Sequence, residues 1–165
     1  YLHELFKRQR KYKEMKTFKA VVDQFEAICN AHKQLNSFTF GDIFEADLSN
    51  QMDFAKAHLI EQPAVINPKD FTFTFNLLVM DLVAADGSNE RDVLNDTFLI
   101  LSDIYREFKS GLGRNTPIMN SRDYVVSESM TCEPFTDRFE NLLAGWNGAI
   151  SITVPSHNNA CKSPI

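Results

Sequence analysis

The stretch DFTFTFNLLVMDLV, from Asp70 to Val83, constrains the fold of this chain more than any other. Phe71, Phe73, Phe75, Leu77 and Val79 alternate there with Thr72, Thr74, Asn76, Leu78 and Met80. Successive side chains of a strand point to opposite faces, so period two over this length predicts one long β-strand. One face is apolar throughout. The other turns from polar to apolar midway, so one end of it is expected open to solvent and the other covered. The Phe face has to lie on a core.

Helical spacing predicts two helices to build that core. The first covers residues 17–34, with Phe18, Val21, Val22, Phe25, Ile28 and Cys29 along one stripe. The second runs from about Glu90 to Lys109, with Val93, Leu94, Phe98, Leu101, Ile104, Tyr105 and Phe108 as its buried stripe. Ser88 or Asn89 is its expected N-cap, and Glu90 and Asp92 suit the positive end of the helix dipole. Leu99 lies off the stripe, among Asp92, Asn95, Ser102, Asp103 and Arg106. In an oligomer such a leucine is an interface candidate.

Further strands are expected at Phe38 and Phe40 with a bend at Gly41, and over residues 57–67 with an edge or bulge at Pro63. Another strand is expected over residues 124–133, with Tyr124, Val126, Met130 and Cys132 on one face and Glu133-Pro134-Phe135 ending it. Residues 139–146 read as an excursion containing a helical turn, and a last strand falls within 145–155. The fold class is therefore α+β: a mixed, mostly antiparallel sheet with an N-terminal helix and one long helix packed on it. Residues 17–155 make a single domain, preceded by a basic arm at 1–16 and followed by an irregular tail at 156–165.

The 165 residues suffice for one domain with its own core. Fourteen Phe against a single Trp point to a dense aromatic core or an assembly interface. No apolar run approaches the ~20 residues that cross a bilayer, and no apolar segment follows the basic start, so neither a membrane span nor a secretory leader is expected. Cys29, Cys132 and Cys161 are odd in number and widely spaced, which argues for a reducing compartment rather than a disulfide framework. Cys29 and Cys132 fall in apolar patterns and read as small core residues.

Charge is unevenly spread. Residues 1–19 hold seven Lys/Arg against two Glu, a net of +5, while the remainder carries −10. On a helical wheel Leu2, Leu5, Phe6 and Tyr12 fall roughly opposite the stripe of the first helix. Residues 1–14 thus form a separate helix or extend a helix with two sticky faces, one covering the body and one meeting something else. With Lys7, Arg8, Arg10 and Lys11 they are candidates for a subunit or partner interface, as is Leu99.

The sequence shows no set of residues at the spacing of a known catalytic or metal site. His58 and Glu61 form no metal motif, and His58 reads as structural or interfacial. His157 and Cys161 lack further ligands. Gly111-Leu112-Gly113 follows a helix instead of opening one, so it is no phosphate loop. Asp81, Asp86 and Asp92 surround the strand-to-helix turn without a calcium-loop pattern; a solvated, helix-capping turn is the plainer reading. Asp81, Asp86, Glu90 and Asp92 are the candidate acidic loop for a channel or a partner. No catalytic residue, cofactor or metal is expected, and the chain is read as a non-enzyme. The alternative is a nucleic-acid-associated module, with Phe6 and Tyr12 interleaved among cations, opposed by the acidity of the body.

FTFTFNLLVMDLV, NERDVLNDTFLILSDIYREF and LLAGWNGAISITVP together resemble tail-completion or neck-ring proteins of tailed phages, in particular those infecting Bacteroidota, including the crAss-like group. The resembling pieces are Val79-Met80-Asp81-Leu82, Asn95-Asp96-Thr97, Ser102-Asp103-Ile104 and Gly145-Trp146, within residues 36–155. The resemblance implies a tail-terminator-like fold and a structural virion protein, assembled in the host cytoplasm. Its partners would be its own copies in a hexameric or dodecameric ring, the portal, and other neck and tail proteins. DNA would pass through the channel without sequence-specific binding. No catalytic residues carry over.

Overall fold

The computed structural model describes residues 17–43, 50–110, 124–138 and 142–156. Along them run α1 (Phe18–Ala31), β1 (Ser37–Phe40), a 3-10 turn (Gln51–Asp53), β2 (Lys56–Glu61), β3 (Val65–Ile66), β4 (Asp70–Leu82), α2 (Glu90–Ser110), β5 (Val125–Val126), β6 (Thr131–Arg138) and β7 (Leu142–Pro155). The fold is α+β. The strands form one sheet in the order β1-β2-β4-β7-β5, with β3 beside β4 and β6 beside β7. Only β1 and β2 run parallel; the other described pairs are antiparallel.

β4 is the long strand the period predicts. All thirteen of its residues pair with β7, from Asp70 opposite Pro155 to Leu82 opposite Leu143. Both helices lie on its Phe face. Phe75, Leu77 and Val79 join Val21, Phe25 and Ile28 of α1 and Ile100, Leu101, Ile104 and Phe108 of α2 in one core. Phe25 meets Phe75 at 5.3 Å and Phe108 at 4.3 Å between ring centroids. Burying a side chain of this size contributes about 1.5–3 kcal/mol, so this aromatic contact is a principal fastening between the helices and the sheet.

The other face divides as its sequence does. At one end Thr72 meets Thr153 and Thr74 meets Ser151 through hydroxyl hydrogen bonds of 3.1 and 3.0 Å. At the other, Leu78, Met80 and Leu82 pack with Phe54, Phe135 and Leu143 in a second apolar cluster. His58 is fully buried on this face: its Nδ1 lies 2.6 Å from Thr39 Oγ1 and its Nε2 lies 3.1 Å from the carbonyl oxygen of Asp42. It thereby ties β1 to β2. Glu61, three residues on, points to the opposite face, so the two do not meet.

Four sequence expectations are corrected. The first helix ends at Ala31 instead of Gln34, because His32 is already extended and closes it with a backbone bond to Cys29. The strand expected over 57–67 is two. Gln62 bonds Thr74, yet Val65 pairs with Thr72, so one extra residue lies between them. This is a bulge at Pro63-Ala64. The break in the next strand falls at 127–130, and β6 continues through Pro134. β6 pairs only with β7 among the described residues, and a proline is tolerated where its missing N–H faces away from the ladder. Finally, residues 142–146 belong to β7 and hold no helical turn; residues 139–141 lie outside the described residues.

Candidate assembly surfaces

The strand-to-helix turn is built from backbone hydrogen bonds and acidic side chains. Val83 N–H donates to the carbonyl of Leu142 at 2.8 Å, and Gly87 N–H to that of Ala84 at 2.8 Å. Gly87 has φ +73, a left-handed conformation that costs an L side chain and suits glycine. Asn89 stands just before α2, but its Oδ1 turns back to accept from Ala84 N–H at 2.7 Å. It fastens the turn that leads into the helix.

The four candidate acidic residues occupy different settings. Asp81 is half-buried on the helix face, with Oδ1 accepting from Leu82 N–H at 2.8 Å. Burial raises its pKa above the ordinary carboxylate value, the Leu82 N–H opposes that, and the nearby charge of Asp96 adds to it. Asp86 is exposed, and hydrogen bonds from the Ser88 backbone and side chain lower its pKa. Glu90 accepts a 3.1 Å hydrogen bond from Thr136 Oγ1, which links the start of α2 to β6. Asp92 is exposed in the first turn, where it complements the helix dipole. Among the described residues no group of three His, Cys, Asp or Glu could hold a metal ion.

α2 carries the interface candidate of the sequence reading. Leu99 is 52% exposed. Its helical neighbours three and four positions away include Asn95, Asp96, Ser102 and Asp103, and both aspartates are exposed. Asp103 Oδ2 lies 3.2 Å from His32 Nε2, fixing the end of α1 to this helix. The buried stripe differs from the expected one. Thr97 and Ile100 are buried, whereas Phe98 is 44% exposed and rests on Trp146, edge to face at 5.1 Å. Thr97 enters the core because its hydroxyl donates to the carbonyl of Val93 at 2.6 Å, which satisfies its polar group.

A second apolar surface lies at the β3–β4 end of the sheet. Ile66 is 81% exposed and sits opposite Phe71 across the β3–β4 ladder. Phe71 adjoins Phe73 at 6.4 Å, and Phe18, 38% exposed, meets Phe73 at 5.6 Å and Phe40 at 6.1 Å. Its sequence signal was an isolated Val-Ile pair between two prolines, too short for periodicity to assign a face.

The arm candidates Leu2, Leu5, Phe6, Lys7, Arg8, Arg10, Lys11 and Tyr12 lie outside the described residues, as do His157, Cys161 and Gly111–Gly113. Cys29 is buried, and desolvation together with the charge of Glu26 pushes its thiol up to about 12. It is a core residue. Cys132 is partly buried and its pKa is also raised by desolvation. No helix among the described residues is long and apolar enough to cross a membrane. No protein-family model matches the chain, and no curated protein matches it by sequence.

Proposed function

We propose that this chain is a structural ring subunit of a tailed-phage neck or tail, connecting portal and tail around a channel for the genome. The observation that carries the reading is Leu99, exposed at mid-helix between the exposed carboxylates of Asp96 and Asp103. An apolar contact rimmed by anions complements a basic amphipathic segment, and residues 1–19 carry +5. Acceptor and donor are different parts of one chain. A contact of that kind is heterologous, and it generates a ring where the rotation between successive copies closes. The acidic remainder suits a channel wall, since negative walls keep passing DNA from adhering.

In this reading the chain performs no catalysis and the acidic turn is a contact or channel element. Negative-stain microscopy and mass photometry of the purified chain test it. Closed rings of one size are expected, with Leu99→Lys abolishing them while circular dichroism stays unchanged. A chain that remains monomeric within assembled particles would end the proposal. Salt-sensitive binding of single-stranded or duplex DNA that vanishes on removal of residues 1–14, without any ring, would favour a nucleic-acid module instead.

A further inference from the structure

We infer that the aromatic surface formed by Ile66, Phe71, Phe73 and Phe18 is the docking site for the chain's own N-terminal arm, through Leu2, Leu5 and Phe6. The surface is contiguous: Ile66 faces Phe71 across the ladder, and the rings pass from Phe71 through Phe73 to Phe18. It lies on the helix face of the sheet, since Phe75, on the same face, is in the core with Phe25. α1 begins only at Phe18, so its own residues cover the Phe75 end while Ile66 remains 81% exposed. Ile66 and Phe18 are exposed and Phe71 and Phe73 half-buried between them, and a contiguous apolar surface of this kind marks a binding site.

Two stretches of chain outside the described residues start beside it. The arm, residues 1–16, joins the described chain at Thr17, next to Phe18. The tail begins after Ser156, whose N–H donates to the carbonyl of Lys69 at 2.8 Å in the β3–β4 connection. Their chemistry separates them. The tail, HNNACKSPI, carries one large aliphatic side chain, at its last residue, whereas the arm brings Leu2, Leu5 and Phe6 together. Ten residues separate Phe6 from Thr17, and such a tether spans up to about 35 Å when extended. A tether this short holds its end at an effective concentration on the order of millimolar. A separate copy at working concentration does not compete with that. Docking by Leu2, Leu5 and Phe6 leaves Tyr12 and the lysines beside it, Lys11 and Lys13, free to meet Leu99 of a neighbouring copy.

Photo-crosslinking on the full chain tests this. Benzoylphenylalanine replaces Ile66, a site exposed enough to accept it without disturbing the core. The expected product is a link within one chain, mapped by mass spectrometry to residues 2–12. Leu5→Asp with Phe6→Asp should lower its yield by about tenfold or more. Links between chains, links to residues 157–165 alone, or no link at all would each overturn the assignment. Measuring the mass of the same sample by mass photometry keeps this result separate from the ring proposal, which it neither needs nor decides.

Discussion

Trp146 Nε1–H donates a 2.8 Å hydrogen bond to the main-chain carbonyl of Leu94, joining the middle of β7 to the first half of α2 across the Phe98 ring. The indole is thereby both wedge and clasp between helix and sheet. It is also the only tryptophan in the chain, so fluorescence reports on this contact alone.

Replacing Trp146 by Phe keeps a ring against Phe98 but removes the donor. Loss of one such hydrogen bond costs about 1 kcal/mol, and the smaller ring adds a packing loss of similar size. Chemical denaturation of Trp146→Phe, followed by circular dichroism, should show a stability loss of about 1–3 kcal/mol with an unchanged spectrum.

Two glycines should respond differently to alanine. A Cβ on Gly145 would run into the carbonyl oxygen of Val79 and stand 2.9 Å from Met80 Cα, all backbone of the paired strand. Gly145→Ala therefore has to push β4 from β7, at a cost of about 3 kcal/mol or more. At Gly87 a Cβ would meet nothing within 4 Å, so only the φ of +73 opposes it. Gly87→Ala should cost about 1–2 kcal/mol. Thermal melts of both variants check the order; equal losses would contradict the close approach at Gly145.

Asp81 has a pKa raised chiefly by burial. The folded state therefore holds its proton more tightly than the unfolded chain. The group's favourable contribution is complete below its unfolded pKa and is lost as pH rises through the folded one. Asp81→Asn keeps an oxygen for the Leu82 N–H without the charge. It should melt higher than the parent at pH 7, with the difference shrinking as pH falls into the range where Asp81 protonates. A difference independent of pH would assign the effect to packing.

Leu99 is exposed and lies off the buried stripe of α2, so Leu99→Lys should change the stability of the subunit by no more than about 0.5 kcal/mol. Its effect on particle mass should be complete loss of assembly. Mass photometry and a denaturant titration of the same preparation give both numbers. Unaltered assembly would move the subunit contact to another surface.

Much of this was legible from periodicity, and where periodicity fails the reasons are physical. β4 was readable because one of its faces is uniformly buried, so burial and alternation coincide. The start of β7 was hidden because Leu142, Leu143 and Ala144 show no alternation, while Gly145 leaves room for the backbone of β4 and Gly148 for the side chains of Met130 and Leu101. β6 was masked by Pro134, whose rule against strands lapses where only one side of the strand is paired. Leu99 could be picked out on a wheel because it stands among polar neighbours of its own helix. The surface around Ile66 could not, since it exists only once the β3–β4 turn lays Ile66 beside Phe71 and α1 lowers Phe18 onto Phe73.

The pairing of β4 with β7 also bears on how the chain reaches this state. Its partners stand 61 residues apart at Leu82–Leu143 and 85 apart at Asp70–Pro155. Each such contact must close a long loop before it returns any stability, so refolding should be slow for a domain of this size. The shorter closure is at the turn end, where Val83 bonds Leu142 and the 21 residues of α2 take up part of the intervening chain. If that helix forms first, the effective span shortens and the strands should zip from the acidic turn toward Pro155, an order that folding rates of variants at Leu143 and Val154 would check. The long helix thus bears on the order of strand pairing as well as forming a layer of the finished core.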